Sequence, residues 1–235
     1  MHFLLTNDDG IDAEGLAALR QAFAEFGDCT VVAPHEPHSG CSHRVSDNGA
    51  IRLERRAERC FALHGTPADC ARIGLSQFAP DCAWVLSGIN AGGNLGNDVF
   101  MSGTVAAVRE AALCGRPGIA FSHYRRTREM DWDWNRCAVW ARRVFARLSG
   151  IPMRPGEFWN VNFPHLSPEV AEPEIVFCPV DVAHFELTYE AVGDGFVYRG
   201  NYHARSRTSG HDVDVCFRGE ISVSRMTVSS NAPVG

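Results

Sequence analysis

The first ten residues restrict the fold of this chain more than any other stretch. The apolar run from His2 to Thr6 breaks at once into Asn7-Asp8-Asp9-Gly10, so a short buried strand ends in a polar turn. Residues 13–26 then place Leu16, Leu19, Phe23 and Phe26 on one helical face, and Gly27 stops the helix. Thr30-Val31-Val32-Ala33-Pro34 reads as a second buried strand. A strand, a helix and a strand within 34 residues make a β-α-β unit, which belongs to a parallel sheet.

The alternation continues. Residues 35–50, rich in His, Pro, Ser and Gly, form a long loop, and strand-like pieces follow at 51–53 and 60–64. Thr66-Pro67-Ala68-Asp69 has the marks of a helix start: a Thr N-cap, Pro in the first turn and an acid beside it. Residues 83–86 predict a strand that ends at Ser87-Gly88-Ile89-Asn90, and the Gly/Asn-rich loop 91–101 leads to a helix opened by Ser102-Gly103-Thr104. Residues 118–121 predict a strand, 133–148 an amphipathic helix, and Asn160-Val161-Asn162-Phe163-Pro164 another strand. Beyond about residue 170 the helical period disappears, and short alternating segments at 174–178, 185–191, 195–202, 211–217 and 220–228 predict β-hairpins. The expected fold is therefore α/β: a Rossmann-like, doubly wound, mostly parallel sheet over residues 1–165, with a β-rich extension over 166–235 that reads as an oligomerisation arm.

A chain of 235 residues with 45% hydrophobic and 21% charged positions can bury a core of this kind. Its formal charge of −6, from 22 basic and 28 acidic residues, argues against a broad surface for long nucleic acid, because such binding neutralises many phosphates at once. The nine cysteines are odd in number and never spaced as CxxC, so buried free thiols are expected rather than a disulfide framework or a zinc ribbon. No signal sequence or spanning segment is evident, from which a cytoplasmic location is expected.

In an open parallel sheet, ligands gather beyond the C-terminal ends of the strands. Three polar clusters fall at such ends: Asn7-Asp8-Asp9-Gly10, Ser39-Gly40-Cys41-Ser42 and Ser87-Gly88-Ile89-Asn90. Adjacent carboxylates repel each other unless a cation or donors compensate them. Asp8 and Asp9, with the Ser39 hydroxyl and the Asn90 amide oxygen, would give a hard cation such as Mg²⁺ or Mn²⁺ an all-oxygen set with open positions. Taken alone, Asp-Asp-Gly is better explained as a turn and helix cap. The helix start at Ser102-Gly103-Thr104 offers unpaired N–H groups to a phosphate, with Asn94 as an added amide donor. His35, His38 and His43 match no zinc spacing and read as a solvated loop face, while Trp132 and Trp134 read as packing residues on different sides of a helix start.

In combination and order these segments resemble the SurE (survival protein E) nucleotidases. The resemblance runs through Leu4-Leu5-Thr6-Asn7-Asp8-Asp9-Gly10, Ser39-Gly40-Cys41-Ser42 and Gly65-Thr66-Pro67-Ala68-Asp69-Cys70. It continues through Ser87-Gly88-Ile89-Asn90 to Val99, Ser102-Gly103-Thr104-Val105 and Asn160-Val161-Asn162-Phe163-Pro164. It covers residues 1–165 well and thins in the C-terminal third, where Ile221-Ser222-Val223-Ser224-Arg225-Met226 departs from the usual ending. The resemblance implies a 5′- and 3′-nucleotidase that forms a homodimer or homotetramer through an exchanged β-arm. It implies one divalent metal per subunit on Asp8, Asp9, Ser39 and Asn90, and substrate phosphate on Asn94, Ser102, Gly103 and Thr104. The chemistry expected is attack by a metal-activated water on a nucleoside monophosphate, with Asp8 or Asp9 able to orient the water. Two other readings fit the same residues: an aspartyl-phosphate phosphatase with Asp8 as nucleophile, and a nucleotide-binding stress-regulatory module with little turnover.

Overall fold

The structure is a computed structural model that describes residues 1–127, 129, 131–184 and 187–228. The strands are β1 (His2–Thr6), β2 (Asp28–Pro34), β3 (Leu53–Ala57), β4 (Cys60–Leu63), β5 (Trp84–Ala91), β6 (Gly118–His123), β7 (Glu157–Phe163), β8 (Ile175–Phe177), β9 (Tyr189–Val192), β10 (Gly195–Tyr198) and β11 (Ile221–Thr227). The α-helices are α1 (Glu14–Phe23), α2 (Pro67–Ile73), α3 (Gly103–Leu113), α4 (Trp134–Leu148) and α5 (Asp212–Phe217).

The sheet order is β3-β4-β2-β1-β5-β6-β7-β11-β8. From β4 to β7 every neighbour is parallel, while β3 and β11 pair antiparallel to β4 and β7. The chain winds outward from β1 in both directions, to β2 on one side and β5 on the other. The gap between β1 and β5 is therefore the point at which the winding reverses, where such sheets bind ligands.

Strand alternation sorts the core into two layers. Phe3, Leu5, Val31, Ala33, Leu86, Ile119, Phe121 and Val161 face α1 and α4. Leu4, Val32 and Val85 face the opposite way and pack with Cys70 of α2 and Ala111 of α3. Each fully buried Phe or Leu contributes on the order of 1.5–3 kcal/mol over its exposed state, so both faces of β1 are held firmly. That rigidity carries the turn after Thr6 to a fixed place.

Beyond residue 165 the expected all-β pattern needs one correction. Residues 212–217 form α5, not a strand. Asp212-Val213-Asp214-Val215 alternates, but Val213 and Cys216 also lie three apart, and a six-residue window satisfies both periods. Burial of Val213 and Cys216 against Leu95 and Tyr124 decides for the helix. β8 and β11 join the main sheet, and β9 with β10 makes a separate exposed hairpin. Phe185 and Glu186, at the start of the expected 185–191 strand, lie outside the described residues. Trp132 precedes α4, so its ring stacks on Trp134 at 5.3 Å rather than diverging from it.

Candidate metal and phosphate site

The turn after β1 is built by its own side chains. Asn7 donates its amide to the Gly10 carbonyl at 2.8 Å, and Gly10 takes a φ of 97° that a residue with a Cβ rarely adopts. The Ile11 N–H donates to the Pro34 carbonyl, which ties the turn to the end of β2. Asp8 is thereby held at 5% exposure and Asp9 at the edge of solvent.

Asp8 accepts a short hydrogen bond from the Thr104 hydroxyl, and the Thr104 N–H also faces it. Asp9 accepts from the Ala91 N–H at 3.0 Å. The two acids thus bridge β1 to both features at the end of β5, its last residues and the start of α3. Burial pushes Asp8 up to about 6 despite the Thr104 bond, with Asp9 adding repulsion, and burial raises Asp9 as well. Among the described residues, neither carboxylate forms an ion pair with Arg or His. The Asn7 amide oxygen at the same turn is buried without a hydrogen-bond partner.

Asn90 comes from an irregular stretch of β5. The register between β5 and β6 shifts between Ser87 and Asn90, which re-aims the side chain. Its amide nitrogen donates to the Gly92 carbonyl at 2.8 Å, leaving the amide oxygen for an ion. Ser39 is exposed, but the loop that carries it is anchored. The His38 N–H donates to the Asp8 carbonyl at 2.7 Å, and Ser42 bonds to the Phe100 and Met101 carbonyls just before α3. The donor set is all oxygen and has uncompensated negative charge, which fits a hard divalent cation and suits a soft one poorly.

The expected phosphate residues are divided among several tasks. Ser102 caps α3 by accepting from the Val105 N–H at 3.1 Å. Gly103 is pressed so close that a Cβ would lie 2.7 Å from the Asp8 Cβ and 3.0 Å from the Cys41 Sγ. Thr104 spends its hydroxyl on Asp8. Asn94 donates its amide to Ser122 at 2.7 Å, while its backbone is held by Asn160 and Asn162 from β7. The two asparagines are scaffold residues that sequence reasoning assigned only to a strand; their spacing of two on one strand face was the available signal.

Two other features lie outside this cluster, the first on the same edge just past β2 and β4 and the second at the opposite end of the strands. His35 and His64 stack at 4.1 Å beside Glu54, within reach of a common ion, but Arg52 and Arg56 already occupy that carboxylate. A 410 Å³ cleft lined by Trp84, Arg116 and Met153 sits by the strand starts, away from the acids.

Comparison with known proteins shows the family to which the chain belongs. The sequence profile of the Survival protein SurE family matches residues 3–186. This chain belongs to the SurE family. A protein of Nostoc sp. PCC 7120 described as a putative 5′-nucleotidase is 49% identical over 228 residues, covering 97% of this chain and all of that one. A 5′-nucleotidase SurE of Geotalea uraniireducens is 36% identical, covering 95% of this chain and 91% of its own. The crystal structure of the SurE protein from Aquifex aeolicus superposes with a TM-score of 0.87 at 27% identity, over 98% of this chain and 95% of that one.

The SurE chain also anchors the loop before α3 from the C-terminal third, a link that the sequence did not reveal. Asp212 accepts from the Gly96 and Asp181 N–H groups at 2.8 Å. Arg205 pairs with Asp98 at 2.8 Å and donates to the Leu95 carbonyl. The turn between Asn94 and Ser102 is therefore fixed at both ends.

Proposed function

We propose that this chain is a divalent-metal-dependent phosphomonoesterase that hydrolyses nucleoside 5′-monophosphates, and 3′-monophosphates as a secondary activity. The observation that carries the reading is the placement of Asp8 and Asp9, without a cationic partner among the described residues, at the switch point and against the N-terminal turn of α3. The 5′-nucleotidase names of its relatives support the substrate class.

Asp8, Asp9, Asn90 and Ser39 would hold the ion, and a bound divalent cation supplies acidification of a water and neutralisation of phosphoryl charge. The chain's own part is positioning. Thr104 fixes the rotamer of Asp8, and the Asp9 bond to Ala91 fixes that carboxylate beside Asn90. The Gly103 N–H and the Ser102 hydroxyl would be the donors to the phosphoryl group as its charge develops. The Thr104 hydroxyl already occupies one Asp8 oxygen, and the two acids are adjacent rather than spaced as Asp-x-Asp, which favours attack by water over a covalent nucleophile. The exposed β9–β10 hairpin, with Tyr189, Val192, Phe196 and Tyr198 uncovered, supports a homo-oligomer, and the enzyme is read as cytoplasmic.

Hydrolysis of a nucleoside monophosphate panel with Mn²⁺, Mg²⁺ or EDTA tests the reading. Turnover that needs the metal and is lost in Asp8→Asn and Asp9→Asn is expected; chelator-resistant turnover, or tight nucleotide binding with none, would overturn it.

A further inference from the structure

The segment Gly65-Thr66-Pro67-Ala68-Asp69 touches no proposed ligand, yet it contributes two buried polar side chains, Thr66 and Asp69. Asp69, 2% exposed, accepts from the Thr66 N–H at 2.9 Å as part of the α2 capping box. The same carboxylate also takes the Ser46 N–H at 2.9 Å and the Ser46 hydroxyl at 2.8 Å. The Thr66 hydroxyl donates to the Arg44 carbonyl at 2.6 Å. A helix cap needs only its own turn, so these outward bonds hold a different element: the loop that carries Ser39.

A second anchor lies on α3. Glu110 is also 2% exposed, two turns from Gly103 and Thr104. It receives His43 Nε2–H at 2.7 Å and Arg72 Nε–H at 2.5 Å. Burial alone would raise this acid, and the bonds from His43 and Arg72 outweigh it to hold Glu110 below its ordinary value. An anion buried in mid-helix is costly unless it is paired. Here the pairing joins the loop, α2 and α3. Residues 43–46 are thus clamped to both helices, while residues 38–42 lie against the Asp8 carbonyl and the residues preceding α3.

We propose that Asp69 and Glu110 are positioning residues for the metal site, preorganising the Ser39 loop so that its hydroxyl meets an ion held by Asp8 and Asp9. The inference rests on the metal-site reading above and extends it to residues that touch neither ion nor substrate. Without the clamp the loop must be ordered when metal binds, so the cost falls on metal affinity.

The test is Mn²⁺ titration of the full-length protein by calorimetry, with kcat at saturating Mn²⁺ and thermal melts beside it. Glu110→Gln and Asp69→Asn are each expected to weaken Mn²⁺ binding about tenfold or more, the usual effect of removing an outer partner of a metal ligand. High Mn²⁺ should restore kcat to near the wild-type value. The double variant should cost less than the product of the single effects, since both release one loop. Should either variant fold poorly, Ser46→Ala removes the hydroxyl bond to Asp69 and His43→Ala the bond to Glu110 from the loop side, and His43→Gln, which retains a donor for Glu110, should be the mildest. Folded variants with lowered melting temperature but unchanged Mn²⁺ affinity would overturn the proposal. Failure of the metal-site reading looks different: wild type would then bind no Mn²⁺, or Asp8→Asn would bind it equally well.

Discussion

Asp8 should destabilise the metal-free protein that it serves, so replacing it with Asn should make the apo protein more stable while abolishing metal binding. Burial moves this carboxyl from the ordinary 3.8 to about 6. A proton held more tightly in the folded state than in the unfolded one strengthens folding at low pH. That contribution is present below about 4 and is lost as pH rises through about 6. The displacement corresponds to a loss of up to about 3 kcal/mol at neutral pH. Asn has nearly the same shape, carries no charge, and still accepts from the Thr104 hydroxyl. Urea unfolding in EDTA at pH 7.5 should therefore show Asp8→Asn more stable than wild type by one to about 3 kcal/mol, with the gap closing near pH 4. Added Mn²⁺ should raise the wild-type midpoint and leave the variant unmoved. An apo variant less stable than wild type at pH 7.5, or a gap that widens as pH falls, would refute the account of Asp8 as a desolvated, uncompensated acid.

His123, which burial lowers to about 4, has the opposite sign: its stabilisation is complete above about 6.5 and is lost as pH falls towards 4, by up to about 3 kcal/mol. The two slopes offset each other in wild type, so His123→Gln should unmask apo stability that rises on acidification; a flat urea profile in that variant would contradict this. Gly103→Ala, whose Cβ would lie 2.7 Å from the Asp8 Cβ, should cost about 1–3 kcal/mol and lower turnover sharply, as checked by unfolding and by assay at saturating Mn²⁺. Asp212→Ala should cost several kcal/mol, because it strands the Gly96 and Asp181 N–H groups, on the order of 1–3 kcal/mol each; a change below 1 kcal/mol in urea midpoint analysis would count against the anchor.

What the sequence disclosed was local in origin. The β1 strand and its acidic turn, the capped start of α2 and the Ser102 cap depend on neighbouring residues, and each falls where its own pattern predicts. The sheet alternation around Leu4 and Val32 was legible for the same reason. What escaped was set by pairing across the chain. Thr104 reads as a phosphate donor because its helix start is suited to one, yet it meets Asp8, 96 residues earlier, only because β5 is laid beside β1. α5 was missed because six residues satisfy two periods, and only Leu95 and Tyr124 choose between them. The Asp69 and Glu110 clamp likewise spans separations of 23 and 67 residues.

In the proposed site, Thr104 is the residue at which the metal and phosphate subsites would become one device. An N-terminal helical turn normally presents its donors to an incoming anion, but here part of that capacity is already given to a resident one, Asp8. The phosphate end of α3 therefore shapes the ion site, and phosphate binding should depend on the ion. Thr104→Val removes the hydroxyl and keeps the volume. Mn²⁺ affinity should fall about tenfold, while inhibition by inorganic phosphate at saturating Mn²⁺ should change little, and Thr104→Ser should restore both. The opposite split, with phosphate inhibition weakened and Mn²⁺ affinity intact, would mean that the hydroxyl leaves Asp8 for the substrate. The reciprocity of linked sites adds a check within the same protein: if phosphate tightens Mn²⁺ binding, Mn²⁺ must tighten phosphate binding by the same factor. A valine at 104 that lowers the affinity of the ion alone should leave that shared factor in place, whereas loss of a direct phosphate contact should erode it.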